Sequence, residues 1–175
     1  MMDREELRAI LEKHKKWILG KSGGERAMLV DTDLACADLS CADLSCINLS
    51  CSDLTYADLA GADLTEAKLI CANLAGADLT AADLTGADLT GTMTKQMIGK
   101  SVISVQVDTS RPNNIISYWA DLGIWTTGCF QGSLDELREK IEEKHKDNAF
   151  LRERYHRVIH FILQEADEDN GRQWR

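Results

Sequence analysis

The sequence predicts a mainly β protein, a short solenoid wound around its own leucines, preceded by a single helix and followed by a small β-meander with a helical hairpin. Three observations carry this. Leucine recurs at every fifth position from Leu29 to Leu89 without a miss. A small or modest residue stands two places earlier, as at Ala37, Ala57, Ala77 and Ala87, with Thr32, Ile47 and Ser52 as variants. After Gly91 the period is lost at Met93, and β-branched and aromatic runs replace it.

A five-residue period suits neither regular element. On an α-helix each leucine would advance by about 140° around the axis, and on a continuous strand an odd period alternates between faces. The chain must turn inside every unit. Residues two apart share one side of a short extended segment, so the small residue and the leucine point inward together, and the remaining residues form a corner.

Thirteen consecutive units follow this rule, clearest in Ala77-Asp78-Leu79-Thr80-Ala81 and Ala82-Asp83-Leu84-Thr85-Gly86. These closely resemble the pentapeptide-repeat family, whose units read A(D/N)Lxx. The resemblance implies a right-handed β-helix of square cross-section, with four units to a coil and about three coils in all. Open ends of such a solenoid expose strand edges and bare leucines, so the flanking segments are expected to cover them. The domains are then residues 1–26, a cap helix and linker; 27–95, the solenoid; and 96–175, an α+β C-terminal domain.

The N-terminal flank places Leu7, Ile10, Leu11, Trp17 and Ile18 on one helical stripe, with Asp3 and Glu6 spaced as a capping pair and Gly20 at the stop. His14 falls within that stripe and is expected as a packed, hydrogen-bonded histidine. In the C-terminal flank, runs at 102–107, 115–120 and 124–130 predict three strands. They are broken by turn residues at 110–114 and by Asp121-Leu122-Gly123. A capping box of Ser133 and Glu136 opens one helix, and a second from about Asn148 places Leu151, Tyr155, Val158, Ile159 and Ile162 on one face. This tail is similar to those of some phage and bacterial members of the family, a likeness that implies no activity.

The net charge is −9, and its whole excess lies between residues 27 and 95, where ten Asp and one Glu face two Lys. Such a segment argues against direct nucleic-acid binding, which relies on clustered Lys and Arg. No apolar run reaches the roughly 18 residues of a membrane-spanning helix, and Asp3, Arg4, Glu5 and Glu6 exclude a secretory signal. A cytoplasmic protein with reduced thiols is expected.

Candidate chemistry yields to plainer readings. Cys36, Cys41, Cys46 and Cys51 are five apart and occupy successive corners, so they do not converge on a metal ion; this corner is read as one that takes a small side chain, as at Gly61, Gly76, Ala81, Gly86 and Gly91. Cys51 and Cys71 are expected one above the other near disulfide distance. His156 and His160 have zinc-ligand spacing but no third ligand beside them and are read as solvated. Cys129 is read as a buried strand cysteine. No catalytic, cofactor or metal residue is assigned.

One surface feature carries functional content. Asp38, Asp58 and Asp78 should stack in a column, as should Asp43, Asp63 and Asp83, with Asp33 beside Asp53; Asp88 completes the acidic set. The plain account is turn chemistry, because Asp accepts hydrogen bonds from nearby backbone at corners. The sharper one is mimicry of a nucleic-acid backbone, as in family members that occupy the DNA site of type II topoisomerases, directed at such an enzyme or a host or defence nuclease. An Asp column offers one charge per about 4.8 Å, against one per about 1.7 Å in duplex DNA. A homodimer would lengthen it; Lys68 interrupts one face. The leading expectation is a non-catalytic scaffold that binds a protein partner, without membrane or cofactor.

Overall fold

A computed structural model of the chain describes residues 2–107 and 115–171, with side chains through 166. The chain divides into two compact units, Met1–Lys100 and Ser101–Arg175.

In the first unit, helix α1 (Arg4–Ile18) precedes a β-helix-like solenoid. Each corner from Leu34 to Leu89 is closed by a backbone bond from the small residue to the leucine three places earlier, such as Ala37 N to Leu34 O at 3.0 Å and Ala77 N to Leu74 O at 3.0 Å. The residue before the donor has positive φ at every such corner, from Cys36 (57°) to Gly91 (69°). That is the requirement of the third position of a type II turn. Between corners, residues twenty apart form parallel bridges, for example Asp38 with Asp58 and Asp58 with Asp78.

The alternation of inward and outward residues sets the core. Every leucine from Leu29 to Leu89 is at most 2% exposed, and the alanines two places before them, every fifth residue from Ala57 to Ala87, are buried beside them. Toward the first coil this weakens, with Thr32, Ala37 and Ala42 half-buried. The bridges outlast the leucines: Met93 pairs with Asn73 and Ile98 with Asp78, so the solenoid backbone runs past the point where the side-chain pattern ends. Gly99 closes it at positive φ (82°), where a Cβ would meet the backbone of Thr80 at 2.2 Å.

Helix α1 ends in a full Schellman arrangement, Gly20 N to Trp17 O at 3.0 Å and Lys21 N to Lys16 O at 2.8 Å, with Gly20 at positive φ as the motif requires. The expected start is corrected. Asp3 is the N-cap by backbone geometry, but its side chain makes no capping bond. The stripe also buries less than expected. Leu7 and His14 are buried, while Trp17 is 39% exposed.

The second unit is an antiparallel sheet in the order β1 (Val102–Gln106), β2 (Ile115–Trp119), β3 (Ile124–Thr127) and β4 (Phe130–Gly132), with helices α2 (Leu134–Lys144) and α3 (Ala149–Gly171). The expected third strand is two strands. Thr127 pairs with Phe130 across Gly128 and Cys129, and Gly128 carries the positive φ (53°) that a two-residue hairpin with glycine first favours. The expected turn at 110–114 lies outside the described residues. Ile116 and Trp125 from the sheet pack with Leu137 and Ile141 of α2 and with Tyr155, Ile159 and Ile162 of α3. The capping box forms in both directions, Glu136 N to Ser133 Oγ at 3.3 Å and Ser133 N to Glu136 Oε2 at 2.7 Å. Asn148 caps α3 by accepting from Leu151 N at 3.0 Å.

Candidate interaction surface

The outward residue before each leucine builds four columns on the solenoid. One carries Asp33, Asp53, Asn73 and Met93; the next Asp38, Asp58, Asp78 and Ile98; the third Asp43, Asp63 and Asp83; the fourth Met28, Asn48, Lys68 and Asp88. The nine candidate aspartates are therefore spread over four walls.

Their side chains share one local bond. The Oδ1 of each accepts from the backbone N two residues on, at 2.8 Å for Asp78, 2.9 Å for Asp63 and Asp83, 3.0 Å for Asp53, Asp58 and Asp88, 3.2 Å for Asp33 and Asp38, and 3.3 Å for Asp43. Asn48 and Asn73 make the same bond at 3.1 and 3.2 Å. Hydroxyls add a second donor in places, Ser40 Oγ to Asp38 at 2.7 Å and Thr85 Oγ1 to Asp83 at 2.6 Å. Bonds that favour the ionised form lower a carboxyl pKa. Asp38, Asp78 and Asp83 accordingly lie below the ordinary 3.8, first through the hydroxyls of Ser40, Thr80 and Thr85 and then through the backbone donors.

The corner columns differ from the reading of small side chains. Tyr56 and Glu66 stand at corners, and Tyr56 is 66% exposed. What the corner demands is a left-handed backbone, which glycine adopts without strain and other residues at a cost. Size matters only to the neighbour twenty residues on. A Cβ on Gly76 would meet the Tyr56 ring at 2.5 Å, and one on Gly86 would meet the Glu66 carboxylate at 2.6 Å. The pairing of a large corner residue with glycine one coil later is visible in the sequence once the period is known. Cys36, Cys41, Cys51 and Cys71 are exposed free thiols at these corners, and Cys46 is a partly exposed one.

His14 joins α1 to the first coil. It is fully buried, its Nδ1 accepts from Ala27 N at 3.1 Å, and its Nε2 lies 3.1 Å from Ser45 O. With Nδ1 an acceptor, the proton is on Nε2, which donates to that carbonyl. Burial, the largest influence, pushes its pKa below 6.5. Arg26 Nε donates to Cys46 O at 2.6 Å, and its guanidinium lies 5.8 Å from the Trp17 ring, which stacks on His14. Beside this latch a cleft of about 620 Å³ opens between α1 and the first coil, lined by Arg4, Leu7, Arg8, Leu34 and Asp38 among others.

In the second unit two expectations are corrected. Cys129 is exposed on the β3–β4 turn, because the hairpin lifts it out of the strand. His156 is half-buried and pairs with Glu142 Oε1 at 2.8 Å, while Arg152 Nε approaches Glu142 Oε2 at 3.3 Å. This joins α2 to α3. His160 is exposed. No helix among the described residues is long and apolar enough to cross a membrane.

A leucine-cored solenoid with Asx-turn corners and short outward side chains defines a repeat protein of the β-helix class. Residues 32–69 and 57–92 match the profile of pentapeptide repeats, in eight copies. The chain belongs to the pentapeptide-repeat family. It is similar to a pentapeptide repeat protein of the Arabidopsis thaliana thylakoid lumen, with 30% identity over 41% of this chain and 53% of that one (TM-score 0.34). Another similar protein, from the cyanobacterium Cyanothece, is 36% identical over 41% of this chain and 56% of that one (TM-score 0.23). A third, from Nostoc, is 35% identical over 46% of this chain and 71% of that one (TM-score 0.27). The chain thus spans about half the length of the first two. No curated protein matches it significantly.

Proposed function

We propose that the chain is a non-catalytic scaffold that binds a protein partner through the outward walls of its solenoid. In this reading the solenoid is a right-handed, four-sided β-helix of about three coils. Residues 1–26 serve as its cap and linker, 27–95 as the repeat body, and 96–175 as an α+β docking domain, in the cytoplasm.

One observation carries the proposal. The inward positions are filled by leucine and alanine, and the outward positions present a regular lattice of short polar side chains with isolated larger ones, Tyr56 and Lys68 among them. Such a wall offers area and register for recognition. The aspartates Asp33 to Asp88 add acidic character to the same walls. Each has one oxygen engaged with the backbone two residues on. The buried imidazole of His14 holds two backbone groups, a structural use.

The test compares the full chain with a Tyr56→Ser, Lys68→Glu variant. Both are used to recover partners from native extract, quantified by mass spectrometry. Recovery of one defined protein, reduced at least about tenfold by the variant with its circular dichroism unchanged, supports the proposal. Competition with DNA for a DNA-binding enzyme, lost steeply as salt rises, would replace it with mimicry.

A further inference from the structure

Helix α2 and the β3–β4 hairpin flank a half-open cavity of about 190 Å³ in the second unit. Its apolar lining comes from Phe130, Leu137, Ile141 and Tyr155, of which the last three are buried core residues. Its charged lining has one sign. Lys140 and Lys144 lie one turn apart on α2, and no carboxylate among the described residues lines the cavity, in a chain of net charge −9. Among the described residues neither lysine forms an ion pair. The glutamates of the same helix do not line it. Glu136 accepts from Ser133, Glu142 pairs with His156 and Arg152, and Glu136, Glu139 and Glu143 line an adjoining hollow that shares Cys129, Phe130 and Lys140 with this one.

Size and chemistry then select a ligand class. A dry cavity of about 150 Å³ accommodates a benzene ring, so this one has room for a ring with a single charged group at its mouth. Ligand sites combine an apolar body with a few placed polar groups, and two ammonium groups beside such a body favour an anion through charge-assisted hydrogen bonds. We propose that this cavity binds a small carboxylate with an aromatic or branched apolar body. The body packs against Leu137, Ile141 and Tyr155, and the carboxylate lies against Lys140 and Lys144. This site is independent of the solenoid walls and adds a small-molecule input to a protein-binding scaffold.

The test titrates the isotope-labelled full chain at low salt with benzoate, and separately with benzyl alcohol and benzylamine, following amide resonances. Benzoate is expected to shift Gly128, Cys129 and His145 saturably, with benzyl alcohol at least about tenfold weaker and benzylamine weaker still. A Lys140→Met, Lys144→Met variant should lose at least about tenfold in benzoate affinity while its spectrum is otherwise preserved. Cys129 gives a second readout, because benzoate should slow its alkylation by iodoacetamide, measured on the Cys129 peptide. The proposal is overturned if benzoate produces no saturable shift up to about 20 mM. Equal binding of the three probes, or undiminished benzoate binding by the double variant, overturns it as well.

Discussion

Each corner of the solenoid asks one residue to hold a left-handed backbone, and ten residues other than glycine do so, Ala81 (56°) and Tyr56 (55°) among them. For an L-residue this costs about 1–2 kcal/mol, so Ala81→Gly should raise stability by about 1 kcal/mol in urea unfolding. Gly76→Ala should lower it by more than the backbone penalty alone, because the new Cβ meets the Tyr56 ring. Adding Tyr56→Ala should restore part of the loss. The periodicity made the corners legible, but it did not reveal the sign of φ there. Cys36 and Gly61 look alike as small residues, and only Tyr56 and Glu66 show that backbone geometry rather than volume is selected. Protonation also acts at this scale. His14 is held below 6.5 in the folded chain by burial, so as pH falls below 6.5 the unfolded chain takes up the proton first. Its stabilising contribution is complete above 6.5 and is lost progressively toward the folded value. The carboxyls of Asp38, Asp78 and Asp83 follow the same sign at lower pH, contributing above 3.8 and losing that contribution as pH falls through their folded values. Thermal melts should therefore weaken in two windows, the first removed by His14→Gln.

At the scale of elements, α1 does for the first coil what a preceding coil does elsewhere. Along the solenoid the corner N–H donates to the carbonyl nineteen residues on, Asp31 to Ser50 and Cys36 to Thr55. The same register would assign Ser45 O to residue 26, and His14 Nε2 donates to it instead. His14→Leu would leave that carbonyl and Ala27 N without partners, at about 1–3 kcal/mol each. Hydrogen exchange should then show faster opening of the first coil than of residues near Leu64. The apolar stripe and Gly20 made α1 legible, and His14 was legible as a packed residue. Its backbone-mimicking role was not, because it depends on a coil thirty residues away. The hairpin at Gly128 was hidden for a different reason. Ile124 to Phe130 is rich in strand-forming residues, and one glycine with one cysteine is enough to reverse the chain. Ser133→Ala should cost the second unit about 1 kcal/mol by removing the hydroxyl half of the capping box, while the Ser133 backbone N–H to Glu136 bond is retained.

At the scale of the whole molecule, the acidic excess and the solenoid coincide, and the charge arises from how the solenoid is built. An aspartate before most of the leucines supplies an acceptor for the backbone two residues on, and repetition of that unit multiplies the carboxylates. Asn48 and Asn73 fill the same position with the same bond and no charge, which separates the two properties. The most direct measurement is equilibrium urea unfolding of two triple variants at Asp43, Asp63 and Asp83, one to Asn and one to Ala. The Asn variant should keep the stability of the parent within about 1 kcal/mol, and the Ala variant should lose roughly 2–4 kcal/mol for three missing acceptors. An Asn variant as damaged as the Ala variant, or an Ala variant as stable as the parent, would contradict the account.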